Sequence, residues 1–368
     1  MSEKIRIGMI GCGQIAQQHL VRYATMSDRV SLVAASDINE ACAKETGAKY
    51  AIPHVYANFR EMLKRDDLDA IDVCLHNNLH RPATEAALRA GKHVYCEKPM
   101  AGSYRDAEAM LKMAKETGRK LSIQLAQVFA PETRAAKELI DAGELGEVYH
   151  ARSTGYRRRG RPYVDGYGTP TFVQKRNSAG GAMYDMGVYH ISRILYLMGN
   201  PNVTRVSGKT YQKTGMDETR RKTSGYDVEE LGLGLVRFAG GVTMDLIESW
   251  AIHLDSFEGS FVVGSKGGVR IEPFGFFRSY GDLDVSGTAD LARAQFRWNN
   301  VRGDGSFYES PQHHWIAALQ GKVELLPTAE IALNTMLISE AIYLSDARGE
   351  EVTAEEVVKE SKSTAVTI

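Results

Sequence analysis

Cysteine is scarce: the 368-residue chain has four, Cys12, Cys42, Cys74 and Cys96. None forms a C-x-x-C pair, and a disulfide-stapled secreted domain would use more of them. The thiols are therefore expected to be reduced and the protein cytoplasmic. An excess of charge of one sign is also missing. Lys and Arg number 45 against 46 Asp and Glu, so no global field draws the chain to nucleic acid or to an anionic membrane. No apolar run approaches the ~20 residues that cross a bilayer. Met1-Ser2-Glu3-Lys4 leads straight into a strand-like run, without the apolar segment of a signal peptide. There is no G-x-S-x-G nucleophile elbow. The adjacent His313 and His314 diverge on either helix or strand and find no second cluster, so no metal is expected. The aromatic residues are scattered rather than gathered into an RNA-stacking face. What is present is a globular composition, 43% hydrophobic and 25% charged, in a chain long enough for two domains.

The first ~125 residues alternate between short apolar runs and helical patterns. Ile5–Ile10, Val30–Ala35, Ala70–Leu75, His93–Cys96 and Leu121–Ala126 read as strands, with helical stretches between them. That alternation predicts βαβ units around a buried parallel sheet. Beyond Pro131 the pattern changes. Strand-like segments follow one another (Val148–Thr154, Val203–Tyr211, Leu231–Phe238, Val242–Trp250, Gly259–Val263, Val269–Ile271), which predicts a mostly antiparallel sheet. A helical stretch, Gly180–Met198, interrupts them, and Pro311–Leu319 and Ala329–Ser345 read as closing helices. The predicted architecture is an α/β doubly wound domain over residues 1–126 and an α+β domain over 127–368.

Three motifs carry chemistry. Gly11-Cys12-Gly13-Gln14-Ile15-Ala16 reads G-x-G-x-x-A between a strand and a helix. Gly11 permits the turn, Gly13 lets a pyrophosphate reach the backbone, and Ala16 allows close packing. The following helix N-terminus offers N–H donors to phosphate. Asp37 closes the next strand. Its carboxylate suits ribose hydroxyls and repels a 2′-phosphate, favouring NAD over NADP, although an aspartate there also serves as a helix N-cap. Cys96-Glu97-Lys98-Pro99 follows a parallel strand, where α/β clefts form; Lys98 there suits a substrate hydroxyl, or is a plain surface lysine before a turn. In Gly180-Gly181-Ala182-Met183-Tyr184-Asp185-Met186-Gly187-Val188-Tyr189-His190, Asp185 and Tyr189 share a helix face, while His190 is turned ~100° away. The basic run Tyr156–Arg161 suits a phosphate or carboxylate, or is a solvated loop.

Together the glycine motif, Glu97-Lys98-Pro99 and the Gly-Gly…Asp-x-Gly helix resemble the Gfo/Idh/MocA family of nicotinamide-dependent oxidoreductases. His80, Ala90-Gly91-Lys92-His93-Val94, Gly143-Glu144-Leu145-Gly146 and Gly264-Ser265-Lys266-Gly267-Gly268 extend the likeness over nearly the whole chain. The resemblance implies a Rossmann domain followed by a domain with a large, mostly antiparallel sheet, whose open face makes a homo-oligomer, a dimer or tetramer. It implies hydride transfer between NAD and a sugar, glycoside, anhydrosugar or inositol. Carried onto this chain, it implies Lys98, Asp185 and Tyr189 as the catalytic group, with His190 the rival base. The implied cofactor contacts are Gly11, Gly13, Gln14, Ile15, Asp37, Leu75, Asn77, His80, Glu97, Lys98 and Gln127. The implied substrate contacts are Lys98, Arg158, Lys175, Asp185 and Tyr189. Three positions depart from the usual pattern: Tyr189 stands where a histidine is common, Leu75-His76-Asn77 where Thr-Pro-Asn is common, and Val128 where an arginine is common. Rival activities are an oxidoreductase whose NAD never leaves, an NAD-dependent glycosidase, and a silent sugar or dinucleotide sensor.

Overall fold

A computed structural model describes residues 4–303 and 305–368. Six parallel strands form the first sheet: β1 (Ile5–Ile10), β2 (Val30–Ser36), β3 (His54–Tyr56), β4 (Ala70–Val73), β5 (His93–Cys96) and β6 (Leu121–Ile123). Their order is β3-β2-β1-β4-β5-β6. Between them run α1 (Gln14–Ala24), α2 (Glu40–Tyr50), α3 (Phe59–Leu63), α4 (Asn77–Arg89) and α5 (Tyr104–Thr117). β1 and β4 are wholly or mostly buried and almost wholly apolar, as a sheet covered on both faces requires. The chain winds outward from β1 to β3 and then crosses to β4. The strand order therefore reverses between β1 and β4, which opens a cleft at their C-terminal ends.

The second sheet has nine strands: β7 (Val148–Tyr156), β8 (Val203–Tyr211), β9 (Leu231–Phe238), β10 (Thr243–Ser249), β11 (Phe261–Gly264), β12 (Gly268–Arg270), β13 (Gly275–Tyr280), β14 (Leu283–Gly287) and β15 (Val352–Thr353). Their order is β14-β13-β12-β11-β7-β10-β9-β8-β15. Every pair is antiparallel except β7 with β10. In β9, residues 232, 236 and 238 are buried while 233, 235 and 237 are exposed, so one face is covered and the other open. The long helix Thr328–Arg348 packs on β8, on α5 and on the helix Val188–Leu197. It ties the two sheets together: the Thr328 hydroxyl accepts the N–H of Ile123 in β6 at 3.0 Å.

The five strands expected at the N-terminus are present, and β3 makes a sixth. It is three residues long and largely exposed, so it leaves no apolar run to read. β13, β14 and β15 were likewise not foreseen; β14 is exposed almost throughout and carries no buried face. The segment Ser361–Ile368 returns to the first domain. There the Ser363 hydroxyl and the backbone N–H groups of Thr364 and Ala365 donate to Asp106 of α5.

Candidate active site

The glycine turn has the form its spacing requires. Gly11 has φ +91°, and a Cβ there would lie 2.1 Å from the Cys74 carbonyl oxygen, so only glycine is admitted. Gly13 is exposed, and a Cβ would meet nothing within 4 Å. The N-terminus of α1 has no side-chain cap and no acidic residue in its first turn. Free N–H donors beside an open backbone fit a dinucleotide pyrophosphate. Gln14 is exposed at the start of α1, and Ile15 is half-buried beside it.

Asp37 is not the helix cap; Asn39 is, accepting the Cys42 N–H. Asp37 Oδ2 instead accepts the Cys12 N–H at 2.8 Å, and Oδ1 accepts the Asn39 N–H at 2.9 Å. Both bonds aim the carboxylate at the glycine turn and leave lone pairs for ribose hydroxyls. Ile38 next to it is 95% exposed, an apolar side chain passed over in the sequence.

Lys98 follows β5, two strands across from β1, which at the usual spacing is roughly 10 Å. Its Nζ lies 2.9 Å from Asp185 Oδ1 and 3.2 Å from the Asp185 carbonyl oxygen. It also sits over the Tyr189 ring, 4.6 Å from the centroid. Asp185 lies in a single π-helical turn, Met183–Gly187, which leads into the α-helix Val188–Leu197. Trp250, fully buried just past β10, donates its indole N–H to Asp185 Oδ2 at 2.9 Å. Arg157 stands 3.9 Å from the same oxygen. Burial opposes charge on Asp185, but Lys98 and the Trp250 N–H outweigh it and hold the carboxyl below its ordinary range. Burial also opposes the Lys98 ammonium, and Asp185 overcomes it, so the amine stays charged. The Tyr189 phenol is raised above its ordinary value by burial, with Lys98 only partly offsetting the rise. Desolvation is the larger effect, so Lys98 does not bring the phenol toward neutrality.

His190 does not share this cluster. Its Nδ1 meets the buried Glu248 carboxylate at 2.8 Å, and its ring lies against Gly155 of β7. Two expected cofactor contacts have their polar atoms engaged elsewhere. His80 is fully buried, with Nδ1 2.8 Å from the Pro99 carbonyl and Nε2 3.0 Å from that of Leu75; it clamps the two loops instead of presenting a donor. Glu97 Oε2 accepts the Lys98 N–H at 2.8 Å and Oε1 meets His19 Nε2 at 2.9 Å. Asn77, at the start of α4, donates to the Ser178 carbonyl of the second domain at 2.8 Å. Leu75 is half-buried at the tip of β4. Gln127 Oε1 accepts from Arg193 at 3.2 Å.

The expected substrate contacts separate as well. The Lys175 amine lies over the Tyr343 ring, 5.7 Å from the centroid, and Arg158 is exposed; Arg157 is the member of the basic run that turns toward Asp185. Arg161 is no anion clamp. It is fully buried and donates to Asp165, Glu230 and the carbonyls of Thr214 and Gly215.

Beneath Lys98 lies a group the sequence reading missed. His19, Asp72 and Glu97 are all buried. His19 Nδ1 is 2.9 Å from Asp72 Oδ2, Tyr23 donates its hydroxyl to the same oxygen at 2.8 Å, and Cys74 Sγ lies 3.4 Å from Asp72 Oδ1. His19, Asp72 and Cys74 have the donor types of a metal site; here they bond to one another, and burial together with the neighbouring Asp72 raises the Cys74 thiol. Two signals were available: a carboxylate inside the apolar run of β4, and a histidine on the buried Ala16–Leu20–Tyr23 stripe of α1.

Comparison with known proteins settles the family. Residues 5–125 match the oxidoreductase family with an NAD-binding Rossmann fold, and residues 133–270 match the Gfo/Idh/MocA C-terminal domain. The chain belongs to the Gfo/Idh/MocA oxidoreductases. The D-glucoside 3-dehydrogenase of Escherichia coli K12 is 28% identical over 360 residues, 95% of this chain and 98% of that one. The trans-1,2-dihydrobenzene-1,2-diol dehydrogenase of Mus musculus is 26% identical over 73% of this chain and 74% of its own. Among solved structures, a levoglucosan dehydrogenase in complex with NADH and levoglucosan superposes with a TM-score of 0.79 at 19% identity, over 96% of this chain and all of that one. The doubly wound first domain and mostly antiparallel second domain are those of the family, and the open cradle at Gly13 fits its NAD. No helix among the described residues is long and apolar enough to cross a membrane.

Proposed function

We propose that the protein transfers a hydride between NAD and a secondary hydroxyl of a carbohydrate, with a glucoside the first candidate. The observation that carries this reading is the convergence of Lys98, Asp185 and Tyr189 on the same sheet edge as the open phosphate cradle. The likeness to a D-glucoside 3-dehydrogenase over 95% of the chain supports the substrate class.

NAD, when bound, supplies the hydride acceptor for oxidation, and its reduced form supplies the donor for reduction. The Lys98 ammonium donates a charged hydrogen bond to the substrate oxygen and stabilises the negative charge that develops there. Asp185 keeps that amine charged and turned inward. Tyr189 exchanges the hydroxyl proton through its phenol oxygen. Because burial leaves the phenol above its ordinary value, Lys98 and Tyr189 both carry their protons at neutral pH. That state is ready to protonate a carbonyl oxygen; alcohol oxidation needs the phenolate and accelerates as pH rises.

We place the cofactor on Gly11, Gly13, Gln14, Ile15 and Asp37 and the substrate on Lys98, Asp185 and Tyr189. We also assign the open face of the nine-stranded sheet to a homo-oligomer, since Leu233 and Leu235 are each 36% exposed there beside Ile247 and Phe257.

The test is an NAD-reduction screen over glucosides, aldoses, anhydrosugars and inositols, with NADP in parallel. A glucoside should reduce NAD but not NADP, and Lys98→Ala should cut kcat on the order of 10²–10³-fold with NAD still bound. NAD binding without turnover of any sugar would overturn the reading. Release of an aglycone without net NADH would replace it with glycoside cleavage.

A further inference from the structure

The buried chain beneath Lys98 has no part in the chemistry above, and its geometry is unusual for a sheet interior. Three ionisable side chains from three elements meet there: His19 from α1, Asp72 from β4 and Glu97 from the end of β5. Each is at most 3% exposed. Burying such groups costs several kcal/mol apiece unless every charge is paired, and packed apolar residues would serve stability as well.

The hydrogen-bond inventory fixes the charge state. A neutral imidazole has one N–H donor and one acceptor. Both His19 nitrogens face carboxylate oxygens, Nδ1 toward Asp72 at 2.9 Å and Nε2 toward Glu97 at 2.9 Å. Two carboxylates acting as acceptors need two donors, so the ring is the imidazolium. Burial alone would disfavour that cation; the neighbouring Asp72 carboxylate overcomes it. Tyr23 and Cys74 supply further bonds to Asp72, and the Tyr95 ring stands edge-on to His19, 5.6 Å away. No other cation is bonded to Asp72 or Glu97 among the described residues.

The chain has two ends that matter. One is α1, whose N-terminus is the phosphate cradle. The other is the backbone of Lys98, whose N–H is held by the free oxygen of Glu97 at 2.8 Å. The ring therefore joins the cofactor-binding helix to the peptide that carries the reactive amine. A loop lysine displaced by about 1 Å loses rate on the order of 100-fold, which is what such a link would prevent.

We propose that His19 is a positioning residue, an imidazolium bridge through Glu97 that holds Lys98 in register with the cofactor-binding helix. The inference rests on Lys98 being the reactive lysine of the preceding section.

Two double variants separate positioning from folding. In His19→Gln/Asp72→Asn the amide can still donate to Glu97, whose carboxylate keeps two neutral donors, that amide and the Lys98 N–H; kcat should stay within about threefold of the parent. In His19→Leu/Asp72→Asn the donor to Glu97 is gone; kcat should fall about 10-fold to 100-fold, while the Kd for NAD and the KM for sugar stay within about twofold. A parental kcat in the leucine variant overturns the proposal. So does an equal loss in both variants, because the donor would then be irrelevant. If neither variant folds, the parent protein decides: ¹⁵N-histidine NMR with NAD bound should show His19 protonated on both nitrogens at pH 7.5, and a singly protonated His19 at that pH overturns the bridge. Lys98→Ala with undiminished turnover would instead sink the functional reading beneath it.

Discussion

Lys98 shows how neighbours rather than residue type set reactivity. A lysine 12% exposed would ordinarily lose its proton more readily, yet Asp185 at 2.9 Å reverses that. Among the described residues Tyr189 has no such partner beyond the Lys98 ammonium over its ring, and burial prevails. In the proposed mechanism the two shifts together favour oxidation at alkaline pH. The kcat for sugar oxidation should climb with pH from 7 upward, and Tyr189→Phe should remove the climb and lower kcat about 100-fold. His190→Ala should leave kcat within about threefold, because that ring is bonded to Glu248 and packed on β7. A pH–rate profile of the three proteins checks this; collapse in the histidine variant would transfer the proton to His190.

At the scale of elements, the Gly180-Gly181 pair that opens the site helix makes room for protein, not ligand. A Cβ on Gly181 would lie 1.9 Å from the Glu229 carbonyl oxygen. The buried Glu229 carboxylate accepts the N–H groups of Gly181 at 2.8 Å and Met183 at 3.0 Å, which satisfies the otherwise orphaned donors at the start of the π-helical turn. That turn carries Asp185, so the glycine pair positions the site through its packing on Glu229. Gly181→Ala forces the helix off Glu229 and should destabilise the protein by about 2–4 kcal/mol, read as a lowered Tm. NAD affinity, which belongs to the first domain, should be retained.

For the whole molecule, a nine-stranded sheet with one face uncovered leaves apolar side chains in water. Leu233 and Leu235 flank charged groups, Arg152, Asp245 and Glu258, on that face, a mixture suited to a specific interface. Sedimentation equilibrium should show a dimer or tetramer, and Leu235→Glu should shift it toward monomer. A monomeric parent protein at micromolar concentration would end that assignment.

The α/β character, the glycine turn, Asp37 and the Glu97-Lys98 pair were all legible from local pattern, because buried strands must be apolar and a phosphate turn must be small. Asp185 and Tyr189 were legible as helix neighbours, through a spacing of four. Short or exposed strands such as β3 and β14 left no pattern, since nothing on them is buried in alternation. The tertiary structure alone decided that Trp250 from a distant strand holds Asp185, that His80 and Arg161 face inward, and that His19, Asp72 and Glu97 meet under Lys98. The pairings of His19 with Asp72 and Glu97 and of Trp250 with Asp185 join residues 53 to 78 positions apart. Sequence periodicity reports which side of an element is buried; only the packing of one element on another determines what each buried polar group finds there.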